Sequence, residues 1–265
     1  MRRYSSLADF LAATPFTVDE RFEDGVGGFY PVKGREIDAT VLFADMGNFT
    51  ARSRDLSPVE TLIFVNNYVS WLTASAVAAG TGIIDKYIGD ELMIVFSKEF
   101  GADDPFGEAF ETGRWIGQND MQGFVPHIGI ASGAVIVGYV GTPLRYECSV
   151  FGTPVALAAR CAKVTPPMEG ASGGAWGSWM VFPASEWGSG RTLEELLPPD
   201  RDDMPSEWRL LPARKEPFKG YGDFEIRELV RDGLWWPSVW PEEHARVNEQ
   251  RMRKYGARYW PRDSD

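Results

Sequence analysis

The sequence predicts an α+β fold, with helices packed on a mainly antiparallel sheet, and three observations point to it. Residues Ala39 to Ala44 form an apolar run of strand-forming residues, the composition of a central strand buried on both faces, and the run ends on Asp45. A helix follows, introduced by Ser57 as N-cap, Pro58 at the first helical position and Glu60 completing a capping box. Then comes I-I-D-K-Y-I-G-D-E-L-M-I-V-F, residues 83–96, two strand-like halves around Gly89-Asp90, a pair suited to a tight hairpin turn.

The remaining elements follow in order. Residues 1–37 read as a short N-terminal arm, too small for a sensor domain. The capped helix is expected from Pro58 to Ala79, with Leu62, Val65, Val69, Leu72 and Val77 on roughly one face and Gly80 and Gly82 at its end. Residues 106–118 read as a helix. Residues 125–133 and 134–141 read as a pair of strands, and Val155 to Lys163 as a further helix. The stretch 165–210, rich in Pro, Gly and Trp, has no clear period. Residues 217–229 read as a terminal strand pair. The expected organisation is an arm over 1–37, a catalytic domain over 38–230 and a Trp-rich C-terminal extension over 231–265.

Composition narrows the function. The chain has 265 residues, enough to bury a core without staples. Its two cysteines, Cys148 and Cys161, suit reduced thiols in a cytoplasmic protein rather than a disulfide framework. No stretch approaches the ~20 apolar residues of a membrane span, and the N-terminus lacks a signal-peptide apolar core. A formal net charge of −11 argues against general nucleic-acid binding. Of ten tryptophans, Trp208, Trp235, Trp236, Trp240 and Trp260 lie beyond residue 200, so the C-terminal part is expected to lay aromatic side chains on the main body.

Asp45 and Asp90 stand at the ends of apolar strands. If the hairpin lies beside the first strand, they come together as a hard oxygen site for Mg²⁺ or Mn²⁺, suited to two-metal phosphoryl chemistry. Aspartate is also a common turn former, and spacing alone leaves both readings open. His127, in an apparent strand, and His244, in a polar tail, suggest no catalytic role.

Four segments carry a resemblance. V-L-F-A-D-M-G-N-F-T, D-K-Y-I-G-D-E-L-M, the stretch from G-I-A-S-G-A-V-I-V-G-Y-V-G to R-Y-E-C-S-V-F-G-T-P-V-A-L-A-A-R, and F-K-G-Y-G-D-F-E-I occur in that order. Together, over about Ile37 to Leu229, they resemble the catalytic domain of class III adenylate and guanylate cyclases. The resemblance implies a ferredoxin-type sandwich, a head-to-tail homodimer with shared active sites, and conversion of a nucleoside triphosphate to a 3′,5′-cyclic nucleotide and pyrophosphate with two divalent ions, Mn²⁺ or Mg²⁺, per site.

Position by position, Asp45, Asp90 and the Met46 carbonyl match the metal ligands. Gly47, Asn48, Phe49 and Thr50 match the loop that presents backbone N–H groups to phosphate, with the next helix N-terminus adding favourable potential. Arg160 matches the arginine that stabilises charge on the transferred phosphorus, and Lys219 the lysine that holds the terminal phosphates. Lys86 and Ser149 match the base-reading pair, expected across the dimer interface from the aspartates that share their substrate.

The chain departs from the family pattern in two places. Ala156 stands where the family has a ribose-orienting Asn. The loop reads Met46-Gly47-Asn48-Phe49, with the small residue and glycine exchanged, and Asn is the best non-glycine residue for a left-handed position. A stand-alone catalytic domain, the missing Asn, and bulky Tyr87 and Phe151 beside the base readers together resemble the bacterial pyrimidine cyclases of Pycsar antiphage defence. That resemblance implies UTP before CTP as substrate and a separate effector that binds the cyclic product. A stand-alone adenylate cyclase and an inactive nucleotide-binding regulatory domain are the alternatives. A diguanylate cyclase is only partly echoed by Ile88-Gly89-Asp90-Glu91-Leu92.

Overall fold

The structure is a computed structural model and describes residues 2–23, 29–73, 80–118, 124–142, 145–171, 176–185, 189–197 and 207–233, with Glu242, Glu243, Ala245, Arg246 and Glu249 beyond them. The expected tail tryptophans Trp235, Trp236, Trp240 and Trp260, His244 and the end of the capped helix at 74–79 lie outside the described residues.

The elements run α1 (Leu7–Ala13), β1 (Val18–Glu23), β2 (Phe29–Met46), α2 (Phe49–Ser53), α3 (Pro58–Leu72), β3 (Ile83–Ile88), β4 (Glu91–Phe96), α4 (Pro105–Gln118), β5 (Pro126–Thr142), β6 (Arg145–Phe151), α5 (Thr153–Ala162), β7 (Trp176–Pro183), α6 (Leu193–Leu196), β8 (Trp208–Leu210), β9 (Arg214–Phe218) and β10 (Gly222–Asp232). All the strands join one sheet with the main order β3-β4-β2-β5-β7-β10-β8, while β1 pairs with β2, β6 with β5 and β9 with β10. Every pairing is antiparallel except β5 with β7.

Strand β2 explains the two-layered core. Its side chains alternate between faces. Val41 and Phe43 pack with α1 (Leu7, Phe10, Leu11) and α5 (Leu157, Ala158, Cys161, Ala162) on one side. Leu42 and Ala44 pack with α3, α4 and α6 through Phe64, Phe106, Phe110 and Leu196 on the other. The apolar run of residues 39–44 therefore occupies a central strand covered on both faces. The N-terminal residues share this core, since α1 is packed into it and β2 begins at Phe29.

Three local readings are corrected. Residues 125–133 and 134–141 are one strand, β5, rather than a pair; Gly133 at φ 147° lets the chain bend and continue in register with β2. The buried stripe of α3 is Phe64, Tyr68 and Leu72, whereas Leu62 is 69% exposed. The aromatic row wins because Phe64 and Tyr68 meet Phe124 at 5.9 and 5.2 Å between ring centroids. Helix α5 begins at Thr153, two residues early, with Pro154 in its first turn. Ser57 and Glu60 form the expected capping box, and Trp208 is buried in the core.

Candidate active site

Asp45 continues the β2 face that carries Val41 and Phe43, so it emerges on the α5 side of the sheet. There Lys163, the C-cap of α5, donates to Asp45 Oδ2 at 2.9 Å and also to Glu91 of the β3–β4 hairpin. Asp90, at the hairpin tip, reaches the Asp45 carboxylate. Burial first, and then the neighbouring Asp45 charge, push its pKa up to about 6. Burial works against the charge of Lys163, but its bonds to Asp45 and Glu91 outweigh that and raise its pKa.

Asp45 and Asp90 share a cleft of about 580 Å³ with Met46, Asn48, Thr50, Arg54 and Lys163. Two converging carboxylates that repel each other suit a divalent cation, and the family resemblance adds the Met46 carbonyl. The Met46 side chain is buried in the core, so only its backbone is available. Among the described residues no group of three or more His, Cys, Asp or Glu could hold a metal. The rest of a coordination shell would fall to substrate oxygens and water, as in Mg²⁺ phosphate sites.

The loop after β2 turns through Asn48 in the left-handed region, φ 58° and ψ 28°. Gly47 is required by crowding, because a Cβ there would lie 2.6 Å from the Val125 carbonyl and 2.8 Å from His127 Nε2. The Gly47 N–H is already bonded to the Val125 carbonyl at 2.8 Å, which corrects the expectation that it faces phosphate. Asn48 and Thr50 are exposed, while Phe49 stacks on Phe64. His127 stacks on Trp179 at 3.7 Å, and burial lowers its pKa to about 4, which keeps it neutral.

The other two pairs of predicted residues also meet. Arg160 donates from Nε and Nη2 to the Lys219 carbonyl, at 3.1 and 2.7 Å, and lies over the Tyr221 ring. The helix that carries Arg160 presses on β5 at Gly129, where a Cβ would lie 2.0 Å from the Ala158 carbonyl. This explains the run of alanines before and after Arg160. Lys86 Nζ donates to Ser149 Oγ at 2.6 Å within one chain.

Sequence reasoning missed Lys163, Glu91, Arg54 and Asp85. Lys163 could have been found from its place one helical turn after Arg160, on the same face. Asp85, beside Lys86, gives no such signal; the bulge that turns it inward is visible only in the structure.

A sheet with helices on both faces, an acidic pair at a strand end and hairpin, and basic residues on α5 and the β9–β10 turn define a candidate enzyme site for an anionic, metal-bound substrate. The adenylate and guanylate cyclase catalytic domain family matches residues 32–169, just over half of the chain, and the chain belongs to that family. The chain is 31% identical over 139 residues to an adenylate cyclase of Anabaena cylindrica, covering 48% of this chain and 27% of that protein. It is 30% identical over 129 residues to the terminal-differentiation specific adenylate cyclase of Dictyostelium discoideum, covering 46% of this chain and 6% of that protein. The matched region is thus a minor part of both relatives. Among solved structures, the adenylyl cyclase CyaB from P. aeruginosa superposes with TM-score 0.52 at 22% identity, over 74% of this chain and 95% of that one. The guanylate cyclase domain of RhGC from Catenaria anguillulae, solved with GTP, gives 0.56 at 18% identity over 75% and 99%. These likenesses establish the fold. No helix among the described residues is long and apolar enough to cross a membrane.

Proposed function

We propose that the protein is a nucleotidyl cyclase that converts a nucleoside triphosphate to a 3′,5′-cyclic nucleotide and pyrophosphate. The carrying observation is the convergence of Asp45 and Asp90, close enough that the Asp45 charge opposes ionisation of Asp90, in a cleft that also holds Arg54 and Lys163. Class III cyclases use divalent metal ions; Mn²⁺ or Mg²⁺, two per site, would lower the pKa of the ribose 3′-hydroxyl and offset charge on the leaving pyrophosphate. Asp45, Asp90 and the Met46 carbonyl would hold the ions. Asn48 and Thr50 face the phosphates, with Gly47 and Phe49 shaping the turn. Arg160 stabilises charge on the transferred phosphorus, and Lys219 holds the terminal phosphates. Lys86 and Ser149 read the base.

In this reading two copies assemble head to tail. The acidic pair of one then works with Lys86, Ser149, Arg160 and Lys219 of the other. Residues 38–230 make up the catalytic domain in this account. A cytoplasmic setting is proposed with it.

The substrate is proposed to be a pyrimidine, UTP before CTP, made as a second messenger in antiphage defence and read by a separate effector. Ala156 in place of the ribose-orienting Asn, and the half-exposed aromatic rings of Tyr87 and Phe151, support this. Lys86 then donates to a uracil carbonyl, and Ser149 accepts from N3–H. An adenylate cyclase is the second reading, favoured by the same Lys86 donor and by the names of the two relatives above. Incubating purified protein with Mn²⁺ and ATP, GTP, CTP or UTP separately, with products identified by mass, tests both. Cyclic UMP or cyclic CMP supports the pyrimidine reading, and cyclic AMP alone sinks it. No cyclic product from any of them removes the cyclase reading.

A further inference from the structure

Beside the base-reading pair lies a carboxylate that the family pattern leaves without a role. In β3, Ile84 pairs with Ile94 and Lys86 with Met93, so Asp85 is the extra residue of a bulge. Such bulges re-aim a side chain. The Asp85 side chain is 0% exposed, against 30% for Lys86, and the two lie 3.3 Å apart. Ser149, itself 1% exposed, donates its hydroxyl proton to Asp85 Oδ2 at 2.8 Å while accepting from Lys86 Nζ. Asp85 Oδ1 is buried with no hydrogen-bond partner. A buried acceptor left unpaired costs stability, and such groups call for an explanation beyond the fold.

A serine hydroxyl ordinarily rotates to donate or accept as its partner requires. An ionised carboxylate only accepts, so Asp85 takes the single proton that Ser149 has. What Ser149 still offers a ligand is a lone pair, and what Lys86 offers is an N–H. We propose that Asp85 is a positioning residue for base specificity: it fixes Ser149 as an acceptor, so the Lys86–Ser149 pair distinguishes keto from amino nucleobases.

The inference rests on the reading of this cluster as the base pocket. Uracil and guanine place a carbonyl beside a ring N–H; cytosine and adenine place an amino group beside a bare ring nitrogen. With the sugar and phosphates fixing how the base enters, one fixed donor and one fixed acceptor match one class. To the other class they present donor against donor and acceptor against acceptor. Sites that hydrogen-bond their ligand reject mismatched analogues strongly because buried polar groups are left unpaired.

The test is binding of ATP, GTP, CTP and UTP to the full chain with Ca²⁺ in place of Mn²⁺, so that affinity is read without turnover. The proteins compared are the unchanged chain, Asp85→Asn, Ser149→Ala and the double variant. An Asn amide can donate to Ser149 and release its hydroxyl to donate in turn. The expected result is that the affinity ratio within a pair, UTP against CTP or GTP against ATP, moves at least tenfold toward one in Asp85→Asn. Adding Asp85→Asn to Ser149→Ala should change that ratio no further. If Asp85→Asn does not fold, Asp85→Ser takes its place, and Ser149→Ala must by itself collapse the ratio. Uniform weakening of all four nucleotides with the ratio intact, or an undiminished effect of Asp85→Asn in the Ser149→Ala background, overturns the proposal alone. A ratio near one in the unchanged protein does the same. No binding of any nucleotide by the unchanged protein removes the base-pocket reading, and this inference with it.

Discussion

Arg160 grips the backbone carbonyl of Lys219 with two guanidinium nitrogens, at 2.7 and 3.1 Å. The contact ties the last turn of α5 to the β9–β10 turn, and so sets two cations of the proposed site relative to each other. An ammonium lacks the planar two-nitrogen fork, so lysine does not replace arginine here. Both Arg160→Lys and Arg160→Ala should lower kcat by roughly 100-fold to 1000-fold, the usual loss on removing one preorganised transition-state contact. Nucleotide affinity should change far less. Initial rates across substrate concentrations check this, and a purely KM effect would refute it.

The acidic pair carries a pH signature. Asp90 is raised from 3.8 to about 6, chiefly by burial and then by Asp45. A carboxyl whose folded pKa is raised stabilises the fold fully below its unfolded pKa, and that contribution disappears as pH rises through the folded value. Without metal, the protein should therefore lose stability between about pH 4 and pH 6 from this source. Asp90→Asn should be more stable than the unchanged chain at pH 7.5, by about 1 kcal/mol once solvent screening at this partly exposed group is allowed for. The difference should vanish near pH 3.5 and shrink when Mn²⁺ is added at pH 7.5. Thermal melts at the two pH values, with and without Mn²⁺, measure it.

Helix α5 owes its position to Gly129. A methyl group there would sit 2.0 Å from the Ala158 carbonyl and 2.3 Å from the Ala162 nitrogen, both backbone atoms. Gly129→Ala should cost about 3 kcal/mol or more in urea unfolding, at the upper end of overpacking penalties. It should also lower activity by moving Arg160 and Lys163 together. Gly190→Ala, where nothing lies within 4 Å, is the control and should be near neutral.

Much of this was legible in the chain because its signals are local. The Ser57-Pro58-Glu60 cap, the Gly89-Asp90 turn and the two-sided run before Asp45 each lie within a few residues, and each formed as expected. The grouping of Lys86 with Ser149 followed from the family resemblance, whereas the contact of Arg160 with the Lys219 carbonyl did not. What escaped depends on distant contacts. Residues 125–133 and 134–141 read as two strands, but pairing with β2 continues in register through Gly133 and makes them one. The apolar residues of α3 offered two possible faces, and Phe124, sixty residues away from Phe64, chose between them. Asp85 gained its role from a bulge that leaves no mark in the residue pattern, whereas the spacing of Lys163 from Arg160 was a signal that went unused.

The central claim is that the acidic pair of one copy and the basic clusters of another form one site. Co-expression of two inactive variants, Asp45→Asn with Asp90→Asn on one chain and Arg160→Ala with Lys86→Ala on the other, tests it most directly. The mixed dimer would carry one intact and one doubly damaged site. Random assembly should restore about one quarter of the activity of the unchanged protein, because half the dimers are mixed and each has one working site. Cyclic nucleotide formation near that level is the predicted result. Activity no higher than that of either variant alone, in dimers shown to be mixed, would contradict the account.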